Sequence, residues 1–174
     1  MYYATMKTNK LVMAALMISL IAVTTIFFKI PVPLGNGYIH LGDAMIFMSV
    51  LILGAKYGAI AAAAGSAMGD VISGYAIWAP WTIAIKGVMA LIMGFFILKS
   101  AKRTMNRIIG MLLSGLWMTA GYFIAEGIVY GNWFVALVSV PFNVGQFAMG
   151  IAIALPLSEA LGKTPAGKLF FFER

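Results

Sequence analysis

The run Leu11–Phe28 carries no charge and scarcely a polar side chain, and runs of this kind recur along the chain. In a lipid interior every backbone N–H and C=O must be satisfied within the segment, so such runs are read as helices. A complete crossing takes about 20 residues. The pattern divides the chain into spans near 11–28, 41–53, 59–73, 81–98, 108–130 and 134–161. This predicts an all-α, six-helix membrane domain covering residues 1–174, with no repeat, linker or second domain. The second run is short for a full crossing.

Composition supports this reading. Hydrophobic residues make up 63% of the chain and charged residues 10%, against about half and a quarter in soluble domains. The mean hydropathy is +0.99. Without cysteine there is no disulfide framework, thiolate nucleophile or cysteine metal site. Met1–Lys10 is fairly polar, and the run after it lacks a small-residue cleavage site, so no cleavable leader is expected.

The breaks between runs carry turn residues. Pro31, Pro33, Gly35, Asn36 and Gly37 end the first helix, in a loop reaching His40. Gly54 to Gly58 forms a tight turn, Gly74 to Pro80 an aromatic loop, and Gly131 to Trp133 a short turn. Pro80 suits the first turn of the next helix. Pro141 marks a kink or a later start in the last span. Gly65 and Gly69 form a GxxxG pair, which favours close helix crossing.

Six spans place both termini on one side. That side receives Lys7, Lys10, Lys56, Lys99, Lys102, Arg103, Arg107, Lys163, Lys168 and Arg174, and the other receives Lys29 alone. Cytoplasmic loops carry the lysine and arginine excess, so both termini are expected on the inner side of the membrane. The net charge of +7 then reports topology, which removes a nucleic-acid partner from consideration.

Depth follows from the helical rise. Asp70 sits roughly 5 Å from the outer end of its span, Lys86 about 8 Å and Glu126 roughly 6 Å. Asn143 and Gln146 lie in the outer half of the last span, and His40 and Asp43 at the outer start of the second. Ionisable groups inside a membrane face a cavity and pair with each other, so Lys86 is expected to pair with Asp70 or Glu126. The competing explanation is snorkelling to the interface. Tyr75, Trp78, Trp81, Tyr122, Tyr130 and Trp133 also gather toward the outer side. An interfacial belt explains Trp133, but no tryptophan marks the inner interface. A pocket with ring walls and convergent polar groups explains the asymmetry.

Catalytic arrangements are weak. His40 and Asp43 share a helix face at i, i+3, but one such pair falls short of the three or four ligands a metal needs. HExxH, Walker A and GxSxG patterns are missing. No catalytic residue, metal or cofactor is expected. Two other classes remain to be tested: a small intramembrane enzyme using Asp70, Glu126 and His40, and a protein oligomerising through Gly65/Gly69.

The segments YIHLGDAMIF, LGAKYGAIAAAAGSAMGDVISGY and WAPWTIAIKG, from Tyr38 to Gly87, resemble the substrate-binding S components of energy-coupling factor (ECF) vitamin transporters. The resemblance implies a vitamin-binding subunit without catalysis of its own, working with a transmembrane coupling subunit and two cytoplasmic ATPases. It implies a gate at Pro31–His40 and Gly74–Pro80, which brings in His40 and Trp78. The pocket it implies uses Trp81, Lys86, Tyr122, Glu126, Asn143 and Gln146, with Asp70 beside them. It assigns the coupling face to Ala15, Ser19 and Ala22, where Ser19 replaces the alanine usual in the family. The branch it most resembles handles pyridoxine or hydroxymethylpyrimidine, with riboflavin or pantothenate as alternatives.

Overall fold

A computed structural model describes residues 2–31, 38–99 and 104–165. Helix α1 spans Tyr2–Phe27, followed by strands β1 (Lys29–Pro31) and β2 (Tyr38–His40). Helix α2 spans Gly42–Ile72, and a 3-10 turn at Ala76–Trp78 leads into α3 (Ala79–Lys99). Helices α4 (Thr104–Tyr130) and α5 (Trp133–Gly162) complete the bundle. Among the described residues, five helices are long and apolar enough to cross a membrane. Residues 32–37 of the first loop, the basic pair Lys102/Arg103 and the tail from 166 onward lie outside the described residues.

The second and third expected spans fall within α2, which is broken at Gly54 (φ 77, ψ 178). Only glycine takes this conformation without steric cost. The break reverses the chain. A Cβ built on Gly58 would lie 2.8 Å from Val50 Cα, whereas residues eight apart in a straight helix stand roughly 12 Å apart. Ser49 Oγ also reaches the Gly58 carbonyl at 3.4 Å. The two halves of α2 therefore lie side by side, and the reversal needs Gly54 alone rather than the whole Gly54–Gly58 stretch.

The returning half of α2 closes with two bonds that satisfy its last carbonyls. Gly74, at φ 86, donates to Val71 O, and Tyr75 donates to Asp70 O at 2.8 Å. This is a Schellman ending, with glycine at the left-handed position. Pro80 lies in the first turn of α3, where its missing N–H costs nothing. The Asn132 side chain caps α5 by accepting from Phe134 N (3.0 Å) and Val135 N (3.3 Å). Pro141 and Pro156 lie inside α5, which continues through both.

Small residues set the helix spacing. Gly65 faces Ile18 O and Ile21, and Gly69 faces Thr25 at 2.6 Å from a notional Cβ. The GxxxG pair is thus used within the chain, against α1, and is not a free oligomerisation face. Helix α2 packs on α1, α3 and α5, and α4 closes the bundle between α3 and α5. Leu16, Leu20, Ile83, Leu91, Leu116 and Leu137 point outward, while Asp43, Lys86, Ser114 and Gln146 are buried. Apolar surface outside and polar groups within is the arrangement a lipid solvent selects.

The strands were not foreseen from the sequence. They pair antiparallel, with Lys29 opposite His40 and Pro31 opposite Tyr38. Tyr38–His40, which could have begun the second span, is a strand instead. It leads directly into α2 and holds two side chains over one end of the bundle.

Candidate functional site

Beneath that hairpin is an open cleft, with about 470 Å³ of atom-free space when the solvent at its mouth is included. Tyr38 and His40 come from β2, Asp70 from the end of α2, and Trp78 from the 3-10 turn. Thr82 comes from α3, Tyr122 and Glu126 from α4, and Asn143 and Gln146 from α5. Each helix contributes from one face: Tyr122 and Glu126 are spaced i, i+4, and Asn143 and Gln146 i, i+3.

A buried polar network forms one wall. Lys86 and Asp43 make an ion pair with both side chains fully buried. The other Asp43 oxygen accepts from Gln146 Nε2 at 2.9 Å. Gln146 Oε1 in turn accepts the His40 backbone N–H at 3.0 Å. Lys86 Nζ also lies 2.8 Å from Met118 Sδ and 5.5 Å from the Tyr122 ring centroid. The expected pairing of Lys86 with Asp70 or Glu126 is therefore corrected to Asp43. Asp43 sits in the first turn of α2, and the fold-back at Gly54 brings Asp70, from the far end of the same element, to the same cleft.

Lys86 is consumed by that pair and does not line the cleft. Nor does Trp81, which is half-buried and packs against the apolar core. One residue along a helix turns the side chain by about 100°, and Thr82 takes the position expected for Trp81. Its hydroxyl meets Tyr122 OH at 3.1 Å. Tyr38 and Thr82 were missed in the sequence reading. The signal for Thr82 is its i, i+4 spacing from Lys86; for Tyr38 nothing local would have revealed it, because the hairpin places it.

The hairpin residues have defined protonation. His40 Nδ1 accepts the Gly42 N–H at 3.0 Å and lies 3.4 Å from Thr25 Oγ1. An accepting Nδ1 puts the neutral ring's proton on Nε2. Burial, and secondarily the Lys86 charge, hold its pKa down at about 4 despite the opposing charge of Asp43. Tyr38 OH donates to Asp70 Oδ1 at 2.7 Å. Burial first, and then the Asp70 charge, push the Tyr38 phenol well above its ordinary value. Tyr38 packs against Tyr75 at 4.8 Å, and Trp78 meets Tyr130 edge-on at 5.6 Å.

On α1, Ala15 and Ser19 are exposed, whereas Ala22 is 5% exposed and covered by the chain itself. The expected three-residue stripe is therefore open only at its first two positions.

The family model described as "ECF-type riboflavin transporter, S component" matches residues 5–163. The chain belongs to that S-component family. A similar protein is the "Thiamine precursor transporter HmpT" of Lactococcus lactis subsp. cremoris, 28% identical over 90% of this chain and 89% of that protein. An uncharacterized protein of Pyrococcus woesei is 38% identical over 64% of this chain and 74% of its own length. The crystal structure of an S component for biotin from an ECF-type ABC transporter superposes with TM-score 0.75 over 97% of this chain and 98% of that chain. At 21% identity it shows the shared fold. This S component is a membrane subunit for vitamin uptake, not an enzyme. Asp70, Glu126 and His40 are thus not catalytic groups.

Proposed function

We propose that this S component binds a small, single-ring heteroaromatic vitamin or precursor, of the hydroxymethylpyrimidine or pyridoxine kind, in the cleft under the β-hairpin. The observation that carries the reading is the cleft lining, with flat rings from Tyr38, Trp78 and Tyr122 and polar groups from His40, Asp70, Thr82, Glu126, Asn143 and Gln146. The near full-length similarity to a thiamine precursor transporter supports the same class.

The reading extends to topology and partners. On this reading the two halves of α2 count as separate crossings, which makes six and puts both termini on one side. The lysine and arginine excess on that side argues for the inside of the plasma membrane. The hairpin and the Gly74–Pro80 segment form an outer gate. Ala15 and Ser19 on α1 face a transmembrane coupling subunit that works with two cytoplasmic ATPases.

A second reading, riboflavin, is favoured by the family description. Mass spectrometry of small molecules that co-purify with the detergent-extracted protein separates the two. It is followed by calorimetry with hydroxymethylpyrimidine, pyridoxine, riboflavin and pantothenate. Submicromolar binding of a one-ring compound is expected. Tighter binding of riboflavin or pantothenate overturns the substrate reading, and the absence of any vitamin binding overturns the site.

A further inference from the structure

Besides His40 and the tyrosines, four carboxylate or ammonium side chains lie in or beside the cleft, and they are not equivalent. Asp43 and Lys86 neutralise each other within the protein. Asp70 and Glu126 have no such basic partner among the described residues, although both are more than nine-tenths buried, at 6% and 7% exposure. Tyr38 satisfies only Oδ1 of Asp70. Among the described residues, Asp70 Oδ2 and Glu126 Oε2 are buried acceptors without a hydrogen-bond partner, and both residues line the cleft.

Such an arrangement is costly to keep for stability alone. A buried polar atom without a partner is rare and unfavourable, and one on a carboxylate is more so. Snorkelling to the interface does not account for these groups, because both line the cleft and expose no more than 7% of their surface. Two buried acceptors from different helices, α2 and α4, therefore define a ligand by its complement: donor groups at two points, with no negative charge. Lys86, the cation a negatively charged ligand would seek, is already committed to Asp43.

Resting on the assignment of the cleft as the vitamin site, we infer that Asp70 and Glu126 are its specificity-determining residues. They accept N–H or O–H donors from two sides of a neutral or cationic, amine-bearing heteroaromatic ring, and they exclude carboxylate vitamins. The neutral His40 contributes an Nε2–H donor, which suits a ring nitrogen.

Calorimetry on the purified, full-length protein tests this with four probes. They are 4-amino-5-hydroxymethyl-2-methylpyrimidine, the same compound lacking the amine, pyridoxine and biotin. In the wild type, loss of the amine is expected to weaken binding about 10- to 100-fold, the range for a hydrogen bond to a charged group. Biotin is expected not to compete. Asp70→Asn or Glu126→Gln, whichever residue meets the amine, should weaken the amino compound by a similar factor and leave the deamino compound unchanged. That convergence separates direct recognition from a merely structural role, and the wild-type probe series stands even if a variant fails to fold. Binding of the amino compound at unchanged affinity in both variants overturns this inference while leaving the site assignment intact. So does binding of biotin as tight as that of the amino compound. Failure of every heteroaromatic probe to bind overturns the site assignment and this inference together.

Discussion

Lys86 shows how much one side chain's surroundings decide its role. A buried cation is tolerable only beside its counter-charge, and Asp43 provides it with Gln146 satisfying the second oxygen. Removing one partner strands the other. Asp43→Asn or Lys86→Met is expected to destabilise by about 3–5 kcal/mol, read as a lowered thermal midpoint in detergent. The double variant Asp43→Asn with Lys86→Gln should recover much of that loss, since no charge is stranded. His40 carries a second residue-scale prediction. Its folded pKa, about 4, lies below the ordinary 6.5, so the unfolded chain binds the extra proton between these values. The share of stability that rests on neutral His40 should be complete above pH 6.5 and fall by about 3 kcal/mol as pH drops toward 4. His40→Asn should flatten that dependence in a series of melts across this pH range.

At the scale of elements, two glycine positions do different work. Gly54 supplies a backbone conformation, with φ 77 and nothing within 4 Å of a notional Cβ. Gly54→Ala should therefore cost about 1–3 kcal/mol through backbone strain alone. Gly65 supplies closeness, because its missing side chain lets α1 pack onto α2 at Ile18 and Ile21. Gly65→Leu should cost at least about 1–3 kcal/mol through overpacking, and it should loosen α1 specifically. Hydrogen exchange of α1 amides, compared between the two variants, distinguishes these causes. Equal loosening in both would mean that the turn and the α1 contact are one unit. The hairpin belongs to this scale too: three residue pairs suffice to hold Tyr38 and His40 over the cleft because α2 continues from β2 almost without a loop.

For the whole molecule, the absence of native cysteine makes the topology directly testable. Ile77→Cys, exposed in the turn before α3, should react with a membrane-impermeant thiol reagent on intact cells. Lys56→Cys, beside the Gly54 reversal, should react only after permeabilisation. Labelling of both from outside would sink the six-crossing topology. The exposed pair on α1 gives a prediction about assembly. Ala15→Trp with Ser19→Trp should abolish ATP-driven uptake while leaving vitamin affinity within about twofold. Loss of vitamin binding in that variant would count against α1 as the coupling face.

Membrane residence, the helical class and the gathering of Asp70, Glu126, Asn143 and Gln146 at one level of the bundle were legible in the sequence. All three follow from one-dimensional quantities: run length, charge placement and helical rise. The motifs between Tyr38 and Gly87 also pointed to the S-component family, to which the match over residues 5–163 assigns the chain. Which groups meet was a different matter. The partner of Lys86, the turn of Thr82 rather than Trp81 toward the cleft, and the arrival of Tyr38 from a strand each depend on rotation about a helix axis or on the hairpin. Rise along a helix can be counted from residue numbers, but azimuth is set by what packs against it. Only the tertiary structure therefore decided that one carboxylate is matched inside the protein and two are left facing the cleft.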